Sequence, residues 1–339
     1  MDERGLAFGI LRSALNGDSP YLGTRPIDAS TWWSLFRLLQ KNHVAALCYR
    51  SAAAAAAPRD VLVPWLAEHE KAVGWHRYQA EVQQEIVDAM RSRGIDTLVL
   101  KGTHTARYWP QPETREFGDL DLYFYDKHSE ADRTAREVLR AEVTNEAHHH
   151  SRFDYRGVTV ESHYDFVNRH FPPSNRRYDD MLKAMAPSAT FEVLFLLRHA
   201  AGHFASSRIT LRDLVDWALT CRALEHEVDW PLVQRTIDDY GMRPFASALS
   251  TVVEKQMGIS LPIAPASSLD VDERFERDIV YGTVGDHSAD GLGRLGWKMR
   301  RWRALGWKRR MVYNDSSIAL LATNLTSHAA RPYTIMHKV

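Results

Sequence analysis

The sequence is poor in cysteine and has no excess of either charge, and each shortage excludes a class of protein. Its 339 residues include two cysteines, Cys48 and Cys221, too few and too far apart for a disulfide framework or a cysteine-ligated zinc cluster. Lysine and arginine together number 43, as do aspartate and glutamate, so the molecule as a whole has no electrostatic attraction for nucleic acid. An anionic partner must therefore be bound by a local patch of cations.

Long hydrophobic runs are absent as well. No run of about 18 apolar residues occurs, so the sequence predicts no transmembrane helix and no stable insertion into a membrane. The first residues, MDERGLAFGILRS, contain early acids and lack the basic segment and apolar run of a secretion signal. We therefore expect a cytoplasmic protein, and its 45% hydrophobic and 25% charged residues are ordinary for a globular chain.

The most informative stretch that the sequence does contain is residues 98–124, LVLKGTHTARYWPQPETREFGDLDLYF. It begins in an apolar, β-branched run of strand length. Lys101 and Gly102 end this run, and glycine permits a tight turn there. Thr103 is placed to cap a short helix that continues to about Trp109. A loop and a second predicted strand follow.

That second strand, residues 119–124, carries two aspartates. Side chains alternate along a strand, so Asp119 and Asp121 project from one face and the apolar residues from the other. Neighbouring carboxylates repel each other and resist burial, and a hard divalent cation such as Mg²⁺ is the usual compensation. The alternative is a solvated strand edge whose acids only face water. The combination of strand, Lys-Gly turn, helix start and Asp-x-Asp strand favours metal binding.

These residues carry a resemblance to a known family. LKG at 100–102, YWP at 108–110, Arg115 and FGDLDL at 117–122 resemble a bacterial family of uncharacterised nucleotidyltransferases within the DNA polymerase β-type superfamily. The resemblance implies metal-assisted transfer of a nucleoside monophosphate from an NTP to an acceptor, with release of pyrophosphate and with Mg²⁺ or Mn²⁺ as cofactor. The turn departs from the superfamily, which usually has Gly-Ser or Gly-Gly where this chain has Lys-Gly-Thr.

The turn also suggests how the NTP would be bound. A cation and free backbone amides before a helix start favour phosphate, so Lys101 and the amides of Gly102 and Thr103 are candidate phosphate contacts. Arg115 is a further candidate, because its planar guanidinium suits phosphoryl oxygens. The alternative for Arg115 is a structural ion pair with a neighbouring glutamate.

Two further strands are predicted around residues 147–155 and 158–167, joined by an Arg-Gly turn. In the family that the chain resembles, an acid on the later strand completes a metal triad with the two aspartates, and a histidine typically follows two residues on. Glu161 and His163 match this pattern, so Glu161 would bind a second ion or act as general base toward the acceptor. Asp165 is the substitute candidate, and a solvent-facing strand is the alternative.

Other histidines and acids invite functional interpretations that the sequence does not favour. Three consecutive histidines at 148–150 cannot chelate one ion together if they lie in a strand, because neighbours point to opposite faces; surface or substrate-cleft positions are expected. His199 and His203 have the i, i+4 spacing of a zinc helix but lack its adjacent glutamate. Asp213 is expected to be a structural ion-pair or capping group, with a place in the nucleotide cleft left open.

Residues 297–310, WKMRRWRALGWKRR, form a basic segment rich in tryptophan. Such a pattern suits a nucleic-acid backbone with stacked bases, and it equally suits an anionic membrane surface. The alternative, which the balanced overall charge favours, is a helical segment whose tryptophans pack on a core and whose charges are solvated.

Together these features predict an α+β protein with a small mixed-sheet nucleotidyltransferase core. The core is expected at residues 94–170, between an N-terminal helical region at 1–93 and a C-terminal helical region at 171–339. The acceptor stays open: a small molecule, a tRNA, a protein hydroxyl or a lipid-linked sugar. Two other functions also stay open. One is a catalytically degenerate binding or regulatory module, or a toxin-like component of a toxin–antitoxin pair. The other is a metal-dependent hydrolase that uses the same carboxylates with His163.

Overall fold

A computed structural model describes residues 2–24, 26–144, 150–169, 171–263, 269–282, 294–316 and 319–320. The α-helices in these residues are α1 (Glu3–Asn16), α2 (Ala29–Lys41), α3 (Ala45–Ala54), α4 (Arg59–Arg91), α5 (Thr103–Ala106), α6 (His128–Glu137), α7 (Asn175–Met185), α8 (Ala189–Ser206), α9 (Leu211–Ala223), α10 (Trp230–Asp239), α11 (Arg243–Val252), α12 (Leu269–Tyr281), α13 (Arg294–Ala304) and α14 (Gly306–Val312). The strands are β1 (Leu98–Val99), β2 (Asp119–Tyr123), β3 (Val143–Thr144), β4 (His150–Tyr155) and β5 (Val158–His163).

The chain divides into two compact units. The first is formed by Met1–His69 with Val193–Asn314, and the second is built around Glu70–Glu192. The described part of the first unit is helical, and the second unit holds all the described strands. The boundaries predicted after residues 93 and 170 follow the succession of element types along the chain, and they stay a prediction.

The sheet of the second unit is mixed, with the strand order β1-β2-β5-β4-β3. β2 and β5 are parallel, and the other neighbouring pairs are antiparallel. β4 and β5 form a hairpin whose turn residues, Arg156 and Gly157, have φ values of 51° and 76°. Positive φ at both positions gives a two-residue turn the twist of its strands. The predicted α+β class with a small mixed sheet is confirmed.

One face of this sheet is apolar and packs against helices. The buried cluster on it draws on β2, β4, β5, α4, α6 and nearby loops, and consists of Val82, Ile86, Met90, Ile95, Phe117, Leu120, Leu122, Phe124, Ala131, Ala135, Phe153, Val158 and Val160. Each large apolar side chain buried in this way stabilises the fold by about 1.5–3 kcal/mol. Because strand side chains alternate, burial of the leucines of β2 commits its aspartates to the opposite face.

Two predicted helix starts are confirmed by their caps. Asp28 Oδ1 accepts a hydrogen bond from the Thr31 amide at 2.8 Å before α2, and Asp229 Oδ1 accepts from the Leu232 amide at 2.9 Å before α10. Each carboxylate thereby satisfies one of the amides that a helix leaves unpaired at its start. Among the described helices, none combines the length and the apolar character that crossing a membrane requires.

The strand predicted over residues 158–167 is shorter than expected and ends at His163. The reason lies in a buried carboxylate: Asp179 Oδ1 accepts hydrogen bonds from the amides of Phe166 and Val167, at 2.7 and 3.3 Å. Backbone amides engaged by a side chain cannot also pair with a neighbouring strand. The segment after β5 therefore turns away from the sheet and is held by α7.

Candidate active site

The parallel pairing of β2 with β5 defines the candidate site. It places Asp121 beside Glu161 and Asp119 beside Thr159. Residues paired in this way share a face of the sheet, so Asp119, Asp121 and Glu161 lie on the face opposite the apolar cluster. His163, two residues beyond Glu161, lies there as well.

Asp119 experiences the charge of this face directly. Burial and the neighbouring charge of Asp121 raise the pKa of its carboxyl above the ordinary value. Lys101 opposes that shift, and Glu161 adds to it. The carboxylates are thus close enough to disfavour one another's ionisation, and the cations present do not fully compensate Asp119.

Asp121 is buried, with 3% of its surface exposed. Its Oδ1 atom lies 3.0 Å from the Lys101 ammonium and 3.1 Å from His163 Nε2. Lys101 therefore neutralises an aspartate in this structure, a contact that the linear sequence did not indicate. Its role as a phosphate contact stays a prediction.

His163 connects two of the acids. Its Nε2 atom lies 3.1 Å from Asp121 Oδ1 and 3.5 Å from Glu161 Oε2. Burial by itself would lower the pKa of His163, but the hydrogen bonds with Asp121 and Glu161 outweigh burial and raise it to about 9. The imidazolium thus supplies positive charge at the point where two carboxylates meet.

Glu161 also contacts a second histidine. His150 Nε2 lies 3.4 Å from Glu161 Oε1, and burial lowers the pKa of His150 to about 4. Burial opposes ionisation of Glu161, yet its contacts with His163 and His150 lower its pKa overall. Sequence reasoning placed His150 only within a histidine tract. The hairpin turn could have identified it, because counting back from that turn sets His150 opposite His163. His148 and His149 lie outside the described residues.

The turn after β1 is held by its neighbours. Gly102 has φ 65° and ψ −120°, a region that glycine alone adopts without strain. Arg115 is 3% exposed, and its Nη1 donates to the Gly102 carbonyl at 3.3 Å. The Thr103 hydroxyl donates to Gln83 Oε1 at 2.7 Å. The predicted cap at Thr103 is wrong, because this hydroxyl is bonded to α4 and Gly102 occupies the cap position of α5.

We expect Gly102→Ala to destabilise the protein by about 1–3 kcal/mol, the usual range for a strained backbone conformation. An added Cβ would also lie 3.3 Å from Phe117 Cε2, tighter than an ordinary contact. Chemical denaturation of both proteins measures the effect. The matched control is Gly118→Ala, where a Cβ meets nothing within 4 Å; equal losses at both positions would contradict the strain argument.

The substitute candidate, Asp165, is part of a different ion-pair network. Its Oδ1 lies 2.6 Å from Lys183 Nζ and 3.9 Å from Arg169 Nε. Arg169 and Lys183 also contact the buried Asp179, at 2.7 and 3.1 Å. These contacts fix the segment that follows β5, directly beyond His163.

The remaining polar candidates lie in the first unit. The rings of His199 and His203 are 4.4 Å apart between centroids. Asp213 completes a capping box with Thr210, whose amide donates to Asp213 Oδ2 at 2.8 Å. Burial opposes ionisation of Asp213, but Arg212 and the Thr210 hydrogen bonds lower its pKa to about 2. The capping role predicted for Asp213 is confirmed.

The basic segment 297–310 forms α13 and α14, and its tryptophans lie against cations. Guanidinium carbons stand over the rings at 5.4 Å for Arg301 on Trp297 and 3.6 Å for Arg309 on Trp302. Lys308 is fully buried and pairs with Asp278. The expectation that the charges of this segment are solvated is therefore wrong for Lys308, since burial of a lysine requires a paired partner.

The site's donors fit a hard divalent cation in type and in charge. Asp119, Asp121 and Glu161 offer carboxylate oxygens, the ligands that Mg²⁺ prefers, and three negative charges face the cations of Lys101 and His163. Within the described residues, the group whose ligand atoms all lie within 4.8 Å of one another is His150, Glu161 and His163. Both aspartates lie outside that group. Convergence of all three carboxylates on one ion stays a prediction.

Comparison with known proteins supports the motif-based resemblance. A family model described as uncharacterised nucleotidyltransferase matches residues 28–258, more than half of the chain. The matched range includes the whole sheet and helices before and after it. No curated protein and no solved structure matches the chain.

Proposed function

The chain belongs to the family of uncharacterised nucleotidyltransferases, and we propose that it transfers a nucleoside monophosphate from an NTP to an acceptor and releases pyrophosphate. One observation carries the proposal. The register that pairs Asp121 with Glu161 sets three carboxylates on one face of the sheet, beside the turn of Lys101 and Gly102. That arrangement combines a place for metal with a place for phosphate.

Asp119, Asp121 and Glu161 would hold Mg²⁺ or Mn²⁺. When bound, the metal supplies a bridge to the phosphates and stabilises the charge that develops during transfer. The low pKa of Glu161 keeps it ionised, which suits a metal ligand better than a general base. Asp119 has the opposite tendency, since its raised pKa reflects repulsion that a cation would relieve.

The turn would hold the phosphates. Lys101 pairs with Asp121 at 3.0 Å, so an ion on Asp121 would take over that neutralising role and leave the ammonium for a phosphoryl oxygen. The amides of Gly102 and Thr103 would add neutral donors. Arg115 donates to the Gly102 carbonyl, which supports a role in fixing the turn; its direct contact with phosphate stays a prediction.

A catalytically degenerate binding or regulatory module is the second candidate. The observation that favours it is the double engagement of Asp121 Oδ1 by Lys101 and His163. Internal cations can neutralise an acid in place of a metal, and a scaffold stabilised in this way would bind nucleotide without transferring it. A toxin-like component of a toxin–antitoxin pair belongs with this candidate in that its partner would define its activity.

Incubation with each NTP labelled at the α-phosphate, with Mg²⁺ or Mn²⁺ and fractionated cell extract, tests the proposal. We expect one fraction to become labelled and pyrophosphate to accumulate. Labelling must be lost in Asp119→Asn and kept in Asp126→Asn, which changes an exposed acid just beyond β2. Binding of NTP without labelling of any fraction would favour the degenerate module, and release of free labelled monophosphate would favour a hydrolase.

The basic segment tests whether the acceptor is a nucleic acid. Replacing Arg300, Arg301 and Arg303 by glutamine is expected to leave acceptor labelling nearly unchanged, since the cations of α13 and α14 are in part engaged within the first unit. A polyanion bound there would show an affinity that falls with salt, and the triple change would reduce the log–log slope by about 0.7–0.9 for each phosphate that the variant no longer binds. A reduced slope would identify the segment as an RNA-binding surface.

A further inference from the structure

The hairpin of β4 and β5 brings together two histidines and a glutamate. We propose that His150, Glu161 and His163 form a binding site for a divalent transition-metal ion of the Zn²⁺ type, separate in ligand chemistry from the Mg²⁺ carboxylates. The inference goes beyond nucleotidyl transfer, because a site of this kind binds its ion whether or not transfer takes place.

Backbone register produces the cluster. His150 and His163 are directly paired across the antiparallel strands, so both side chains stand on the same face. Glu161 precedes His163 by two residues on β5 and therefore shares that face. The turn at Arg156-Gly157 fixes the pairing, since a shift of one residue would send His150 to the opposite face. Three donors from two adjacent strands are thus aligned by hydrogen-bonded backbone.

The distances match a metal's coordination shell. One ligand atom of each of the three residues lies within 4.8 Å of the other two. His150 Nε2 is 3.4 Å from Glu161 Oε1, and His163 Nε2 is 3.5 Å from Glu161 Oε2. Tetrahedral zinc with bonds of about 2.0–2.1 Å separates its ligands by roughly 3.3–3.4 Å. The donors are therefore already close to the spacing that one ion requires.

The donor set selects the class of metal. Two imidazoles and one carboxylate form the ligand set of several catalytic zinc sites, and of non-haem iron and related centres. Mg²⁺ prefers oxygen and dehydrates reluctantly, so two nitrogen ligands discriminate against it. His163 and Glu161 are 5% and about a quarter exposed, which leaves the cluster partly enclosed and approachable from the carboxylate side.

The rival explanation is that the three residues only hydrogen-bond to one another, and a second rival is zinc capture by the neighbouring His148 and His149. Isothermal titration of the full chain, prepared without a polyhistidine tag, with Zn²⁺ and separately with Mg²⁺ distinguishes these cases. The variants are His150→Ala, His150→Gln, the double change of His148 and His149 to alanine, and His226→Ala as an exposed surface control.

We expect one Zn²⁺ per chain, with affinity reduced roughly tenfold or more in both His150 variants, since even an outer-shell partner of a metal ligand is worth 10–100-fold. The double variant and His226→Ala should bind as the wild type does, and Co²⁺ should give visible absorption that His150→Gln loses. Unchanged Zn²⁺ affinity in folded His150→Gln, or loss of binding in the double variant, overturns the proposal. Activity is measured separately, so failure of transfer does not decide the metal site.

Discussion

Asp119→Asn is expected to reduce nucleotidyl transfer by roughly a thousandfold or more while leaving the folded protein as stable as before, or more stable. The loss of activity follows from removing one metal carboxylate and the charge stabilisation that depends on it. The gain in stability has a separate origin. Burial and the charge of Asp121 raise the pKa of Asp119, so its ionised form is unfavourable in the folded chain, and asparagine removes that repulsion.

Asp121→Asn is the informative comparison. It should abolish transfer equally, but it should also destabilise the protein by about 1.5–3 kcal/mol, the range for hydrogen bonds to charged groups. Alternation along the strand alone suggests that this change spares the fold. The buried contacts of Asp121 with Lys101 and His163 reverse that expectation, because asparagine leaves two cations without their anion.

Denaturant unfolding in the presence of a chelator measures both stabilities without bound metal, and the labelling assay measures transfer. A result in which Asp119→Asn loses stability as Asp121→Asn does would show that Asp119 is held by favourable contacts. Retained transfer in either variant would remove that aspartate from the metal site. Asp126→Asn, an exposed acid outside the sheet, should change neither quantity.

Lys101→Met is expected to weaken NTP binding by about 1.5–3 kcal/mol, or roughly ten- to hundredfold, through removal of a charge-assisted hydrogen bond. Sequence reasoning expects little change in stability. The structure predicts a loss, because Lys101 is 17% exposed in its side chain and lies 3.0 Å from Asp121. Methionine keeps the length of the lysine stem and removes only the charge. Its absence should also raise the pKa of Asp119 further, since Lys101 opposes that shift.

Two measurements separate the possible roles of Lys101. Equilibrium binding of a non-hydrolysable NTP reports the phosphate contact, and unfolding with and without Mg²⁺ reports charge compensation. We expect Mg²⁺ to restore part of the stability lost in Lys101→Met, since an ion on Asp121 replaces the missing charge. Unchanged NTP affinity together with tighter Mg²⁺ binding would mean that Lys101 only neutralises Asp121. Lys127→Met, which removes an exposed lysine outside the site, is the control.

Much of the site could be predicted from residues close together in the chain. The alternation of Asp119 and Asp121 with leucines, the glycine after Lys101 and the Glu-x-His pattern at Glu161 are local signals, and the family they indicate is confirmed. Helix starts at Asp28 and Asp229 were equally predictable, because a cap and the amide it satisfies lie within one turn of chain.

Errors arose where a side chain is bonded to a distant segment. Thr103 was expected to cap its own helix, but Gln83 of α4 takes its hydroxyl. The strand after Val158 was expected to continue, but Asp179 of α7 takes the amides of Phe166 and Val167. Local propensity offers several partners for such groups, and packing of distant elements decides which partner is used.

The sequence by itself determined which residues can bear charge on a strand face and which must be buried, because that choice depends on a period of two residues. Tertiary structure alone decided their neighbours. Pairing of β2 with β5 set Asp121 beside Glu161, and pairing of β4 with β5 set His150 beside His163. It also placed Lys101 on Asp121. These contacts join segments far apart in the chain, and strand register is fixed by burial of the whole apolar face, so no short motif could specify them.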